Sequence, residues 1–239
     1  MDNTGIGYNS AQIGELAQKM ESALSALKTS MEENWPTMVT TFRNNWVGTD
    51  EIAFETTFSN DLKIVYRNCD EIIAGATRFV CEAGKTWQEW QTDVANQLGG
   101  SQTSGQVYEH IRTSQEVNLN VSAMSADAGQ FAGLTTAGAE NNLIAAIDDY
   151  VNKVLVSFNG INETIDASKA FVGQEQSTAM NEFIAGLSEN VRQIFSDVDN
   201  FKTVTIPDLV KAYNSQQSTI ASAASTASSN IADAISSSN

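Results

Sequence analysis

From Ser10 to Trp46 the large apolar residues keep one unbroken rhythm. Ile13, Leu16, Met20, Leu24, Leu27, Met31, Trp35, Met38, Phe42 and Trp46 are separated by 3, 4, 4, 3, 4, 4, 3, 4 and 4 residues. The spacing averages about 3.67 residues per turn, an eleven-residue period that keeps one stripe on one side of a helix. Over this span the helix would be roughly 55 Å long. Such a stripe has to be buried against other helices, and this limits the fold more than any other feature. Pro36 falls inside the rhythm. Proline removes a helical hydrogen bond and crowds the preceding turn, so a kink is expected there, with the stripe in phase beyond it.

The rhythm stops at Trp46-Val47-Gly48 and restarts at once. Phe54, Phe58, Leu62, Val65, Cys69, Ile72, Ala76, Val80, Ala83, Trp87, Trp90 and Val94 repeat every 3 or 4 residues. Thr49 or Asp50 is placed to cap this second helix by accepting hydrogen bonds from its free amides. Glu51 adds negative charge to its first turn, where the helix dipole favours it. Gly48 suits a turn with unusual φ. Gly99-Gly100 ends the helix near Leu98. Residues 1–98 therefore read as an antiparallel helical hairpin.

Residues 99–140 read as a flexible connector, opening with the Gly/Ser-rich GGSQTSG. Val117, Leu119 and Val121 alternate as a strand does, but a lone strand has no partner. A second pair of stripes follows over 141–214. Leu143, Ile147, Val151, Val154, Phe158, Ile161 and Ile165 form one; Ala179, Phe183, Leu187, Val191, Ile194, Val198 and Phe201 form the next. Phe171-Val172-Gly173 lies between them. Pro207 suits the start of a further helical segment. Residues 215–239 are a Ser/Ala-rich tail, either a weak helix or disordered.

The two halves echo each other. Gly48 and Gly173 are 125 positions apart (173 − 48), and at that offset Phe58 meets Phe183 and Leu62 meets Leu187. A period this long is a duplication of a hairpin. The expected fold is all-α, with two long antiparallel helical hairpins closing on each other as an intrachain four-helix bundle.

Charge and residue types narrow the function. With 29 acidic against 13 basic residues, the net charge is −16. Phosphate backbones call for Lys/Arg clusters, so no nucleic-acid partner is expected. No 18-residue apolar run is present, so no transmembrane segment is expected, and the first residues lack the pattern of a cleaved signal peptide. His110 is the one histidine, which rules out a Ser-His-Asp triad built on another histidine and a His-based metal cluster. Cys69 and Cys81 sit about 18 Å apart along one helix and cannot bridge each other there. They read as small buried apolar residues. Asp70-Glu71 and Asp148-Asp149 are neighbours that diverge by about 100° around a helix, as on a solvated face. No catalytic residue, metal or cofactor is expected, and the chain does not read as an enzyme.

Trp46-Val47-Gly48 between two amphipathic helices, followed by Ala53-Phe54, resembles the WXG100 (ESAT-6-like) family of small secreted helical hairpins. The likeness covers about residues 8–98. A weaker one covers about 140–214, with Phe171 in place of tryptophan and Gly173 retained. The resemblance implies a bacterial protein made in the cytoplasm and exported to the surface or medium without a cleaved signal, as a substrate, or a targeting partner or chaperone, of a type VII (Esx-like) secretion system. It implies protein partners: a secretion ATPase, and an effector or a second WXG100-like chain. Tyr66 and Asp70 spell the family's Tyr-x-x-x-Asp/Glu export motif. Here they fall inside the second helix instead of after it, which favours coincidence. Trp46 is expected to cover the hairpin's end. Trp87 and Trp90, three apart, form either an end-of-bundle cluster or an interaction patch, the buried cluster being the commoner arrangement. The alternative class is a structural helical protein, such as a virion component or a helical pore-forming toxin subunit, suggested by the long helices and the Ser/Ala tail.

Overall fold

A computed structural model describes residues 10–99, 115–121, 133–134, 138–168, 185, 189, 196 and 198–236. It is all-α apart from one two-stranded contact. Helix α1 spans Ser10–Asn45, strand β1 Trp46–Val47, helix α2 Thr49–Gln97, strand β2 Gly133–Leu134 and helix α3 Ala139–Ser168. A π-helical turn, Phe201–Thr205, leads into helix α4, Ile206–Ser236.

The α1 stripe is buried from Leu16 to Trp46. Leu16, Met20, Leu24, Leu27, Met31, Trp35, Met38, Phe42 and Trp46 all lie in one core. The helix runs through Pro36 without interruption. Its length, 36 residues or roughly 54 Å, makes it the element against which α2 and α3 are laid. Both run antiparallel to it. On the α2 side, Arg43 meets Glu55, and the Thr77 hydroxyl reaches the Met20 sulfur at 3.8 Å. On the α3 side, the Asn142 side chain donates to Asn45 at 2.8 Å, and the Ser30 hydroxyl donates to the Lys153 carbonyl at 3.1 Å. α3 therefore starts beside Trp46 and runs away from it.

The α2 stripe sits slightly off its expected centre. The innermost line is Glu51, Glu55, Ser59, Leu62, Tyr66, Cys69, Ile73, Ala76 and Val80. Phe54, Phe58, Val65 and Ile72 flank it, half-buried. The spacing is still 3 and 4, but the line opens with two carboxylates and a hydroxyl, which hide it from a search for apolar periodicity.

The connector contains ordered packing. Val117 and Leu119 are buried while Asn118 between them is exposed, so the alternation is a real strand-like face. Its partner is a helix. Glu32 Oε1 accepts from the Asn118 amide at 2.7 Å, and Trp35 Nε1 donates to the Asn120 carbonyl at 2.9 Å. Side chains of α1 thus satisfy backbone groups that a second strand would otherwise take. Farther on, Gly133–Leu134 pairs antiparallel with Trp46–Val47. Gly133 holds φ +140°, a conformation that favours glycine.

Among its described side chains, α4 docks by those of its first turns. Ile206 is buried, and Leu209, Val210 and Tyr213 pack against the core. From Asn214 to Thr226 every described side chain is exposed, yet the helix continues to Ser236. The Ser/Ala segment is therefore a helical extension of a docked helix. Phe171, Gly173 and most of the expected fourth stripe lie outside the described residues, and the second apex and the four-helix closure lie there with them.

Candidate functional site

The stretch joining α1 to α2 is where most elements of the structure meet. Trp46 ends the α1 stripe with 4% exposure. Its ring lies 6.5 Å from Phe42 and 6.0 Å from Phe54. Phe54 stacks on Phe42 at 5.0 Å and on Phe201 at 4.2 Å, which ties the turn before α4 to the same cluster. Phe58 extends the rings to Trp35 and Tyr150 near the middle of the helices. Offset and tilted aromatic pairs of this kind add to what area burial alone supplies.

Polar contacts close the corner. Trp46 Nε1 donates to Asp50 Oδ2 at 3.0 Å, and the Tyr213 hydroxyl donates to the same oxygen at 2.7 Å. Asp50 therefore joins β1, α2 and α4. The sequence suggests Thr49 or Asp50 as an N-cap; instead the N-cap is Gly48, which has no side chain to cap with, and Asp50 is turned to the indole and the phenol. Burial, and then the Asp50 carboxylate, raise the pKa of Tyr213 above the ordinary phenol value.

Gly48 also has a different reason from the expected one. Its φ of 162° is extended backbone open to any residue. The constraint is space: a Cβ there would collide with Asp50 Oδ1 and come within 3.8 Å of the Tyr213 hydroxyl. Glycine leaves room for Asp50 to fold back over it; a larger residue would displace the Asp50 carboxylate.

Beneath the corner lies a buried charge cluster. Arg43 of α1 makes a two-pronged pair with Glu55 of α2, at 2.9 Å from Nε and 2.6 Å from the terminal nitrogen. Glu55 and Glu51 side chains are both 0% exposed. Arg43 Nε is 3.8 Å from Glu51 Oε1, and neither Glu51 oxygen accepts a hydrogen bond from a described residue. The Glu51 carboxyl is pushed up to about 8. Burial is the largest cause. The Glu55 carboxylate adds to it, as an acceptor for the protonated form and as a like charge, while Arg43 opposes it more weakly. The Glu55 pairing also raises the pKa of Arg43.

The other residues singled out from the sequence stand apart from this corner. Tyr66 and Asp70 share a buried face of α2, at 1% and 6% exposure. As a pair they are part of the core, not a surface signal. Cys69 beside them is also buried, and burial together with Asp70 pushes its thiol up to about 12, which disfavours the thiolate. Trp90 is 57% exposed and does not join a buried cluster. α2 is 49 residues long against 36 in α1, and its last turns overshoot the start of α1. The side chain of Trp87, and all of His110, lie outside the described residues. Asp148 and Asp149 accept separately from Lys202 and Lys153, at 2.7 Å each, as on a solvated face.

Chemically, the site is built to hold helices together. Among the described residues no group of three His, Cys, Asp or Glu side chains could hold a metal ion. The apolar groove beside the corner, about 210 Å³, is lined by Phe54, Phe58, Leu62, Ile147, Val198 and Phe201 with Asp61 at its edge. Arg43, Glu55 and Tyr213 escape the sequence analysis. Glu51 and Glu55, four apart in phase with Leu62 and opposite an arginine near the end of α1, are the readable sign. No helix described is long and apolar enough to cross a membrane. Comparison with protein-family models, with curated proteins and with solved structures finds no match.

Proposed function

We propose that the protein is a non-enzymatic helical interaction protein, exported from a bacterial cell as a substrate or targeting partner of a type VII (Esx-like) secretion system. The observation that carries this reading is the Trp-Val-Gly stretch at the junction of two long antiparallel helices, with the indole buried and the glycine held open for Asp50. Its context resembles the WXG100 hairpin. A third helix of the same chain lies along α1, the side that a partner hairpin would take in a WXG100 dimer. Tethering the two in one chain makes closure intramolecular and independent of dilution. In this reading Trp46 and Gly48 act by fixing the hairpin's shape, and recognition by a secretion ATPase, an effector or a second WXG100-like chain falls to outer helix faces.

The test is export from a bacterium that carries such a system. The protein is expected in the culture medium or at the cell surface, with export lost when the secretion ATPase is deleted. Strict retention in the cell, with large assemblies or leakage of lipid vesicles, overturns this reading in favour of a virion component or pore-forming subunit.

A further inference from the structure

We propose that the Trp46 corner is a proton-operated fastener: when closed it holds a proton between Glu51 and Glu55 beneath Arg43, opening surrenders that proton, and rising pH therefore loosens the docking of α4. This device is independent of the export reading.

The geometry has three parts. First, two wholly buried carboxyl groups face one guanidinium, and Glu55 alone takes both of its prongs. Two anions against one cation leave a buried negative charge, which is costly in a low-dielectric setting. A proton on Glu51 removes that charge, and its O–H can be donated to Glu55. Second, among the described residues the groups that face Glu51 leave no other source of neutralisation. From α2 these are Glu55 and Asp50, and from α1 it is Arg43. α4 brings the Tyr213 hydroxyl to Asp50, and α3 brings the Asn142 amide to Asn45. Third, the first turns of α2 carry the docking points of α4. Asp50 binds Tyr213, and Phe54 stacks on Phe201. Asp50 and Phe54 flank Glu51 on the same first turns of α2, so in this device hydration of the carboxyl is coupled to release of α4. The Glu51 carboxyl, pushed up to about 8 by burial and by Glu55, fits a group that stays protonated at neutral pH.

In the open corner Glu51 is an ordinary solvated glutamate, with the usual value of 4.5. Opening then releases one proton between that value and about 8. Its equilibrium constant rises by up to about tenfold per pH unit across the window and levels off above it.

Two measurements on the full chain test this. The Glu51 carboxyl is followed by ¹³C NMR from pH 4 to pH 10, its signal assigned by its absence in Glu51→Gln. Amide exchange of residues 206–213, corrected for intrinsic rates, is followed over the same range. The expected results are titration of Glu51 above pH 7, and protection that falls with pH up to about 8 and then levels off. In Glu51→Gln that fall disappears. In Glu55→Gln, which frees Arg43 for Glu51, the titration moves down toward the ordinary range. Titration of Glu51 near pH 4 to 5 overturns the proposal. So does protection of α4 that is flat in the unsubstituted protein, or that falls equally in Glu51→Gln.

Discussion

Replacing Trp46 by alanine removes the largest side chain of the corner. The indole is 4% exposed and lies against Phe42 and Phe54. Burial of a tryptophan withdraws about 200 Å² from water, and truncation to alanine in a core costs about 3–5 kcal/mol. The lost hydrogen bond to Asp50 adds about 1 kcal/mol or less, because Asp50 is exposed and keeps Tyr213. The expected total is about 4 kcal/mol. Trp46→Phe keeps a ring against Phe54 and is expected to cost about 1–2 kcal/mol, mainly the hydrogen bond and the outer ring. Urea unfolding followed by circular dichroism measures both. With a slope near 3 kcal/mol/M, the alanine variant should lose roughly 1–2 M in midpoint with the slope unchanged. A loss below about 1 kcal/mol for alanine, or equal losses for alanine and phenylalanine, would refute the packing argument.

Three further perturbations follow from the same contacts. Gly48→Ala forces Asp50 away from Trp46 and Tyr213 and should cost about 1–2 kcal/mol; in an Asp50→Ala background the same change should cost markedly less, and additive losses in a double-mutant cycle would contradict the steric account. Leu119→Ala should cost about 2–4 kcal/mol in the same unfolding assay, since the side chain is 1% exposed; a neutral result would return residues 115–121 to a mere tether. Glu51→Gln should stabilise the protein at pH 7. Between 4.5 and about 8 the unfolded chain has released the Glu51 proton and the folded one has not, so folded stability falls as pH rises through that window and levels off above it. At pH 7 the gap is about 2.5 units, a ceiling of about 3.5 kcal/mol at roughly 1.4 kcal/mol per unit; parallel stability–pH curves for the two proteins would show that Glu51 carries no such penalty.

The α1 helix was legible residue by residue, because its buried line is wholly apolar and period alone identifies it. The line of α2 was legible in period but displaced, because Glu51, Glu55 and Ser59 occupy core positions and Tyr66 and Ile73 replace the neighbours that hydrophobicity favoured. Leu143, Ile147, Val151, Phe158 and Ile161 of α3 are buried as the spacing requires, while Tyr150 is buried beside them, its hydroxyl 3.4 Å from the Met31 carbonyl. The alternation of Val117 and Leu119 was visible, but not that a helix could serve as its partner. The corner itself was half legible. Trp46 and Gly48 announce a helix junction, whereas Tyr213 reaches Asp50 across 163 positions, and no local pattern records a contact that distant.

The closed corner is tested most directly by hydrogen exchange at the Trp46 indole nitrogen, with its NMR signal assigned through Trp46→Phe. An Nε1–H buried at 4% exposure and bonded to Asp50 at 3.0 Å should exchange far more slowly than a solvated indole, and its signal should shift in Tyr213→Phe. Exchange at the rate of a free indole, with no response to Tyr213, would contradict the buried fastener and leave Trp46 as a surface residue.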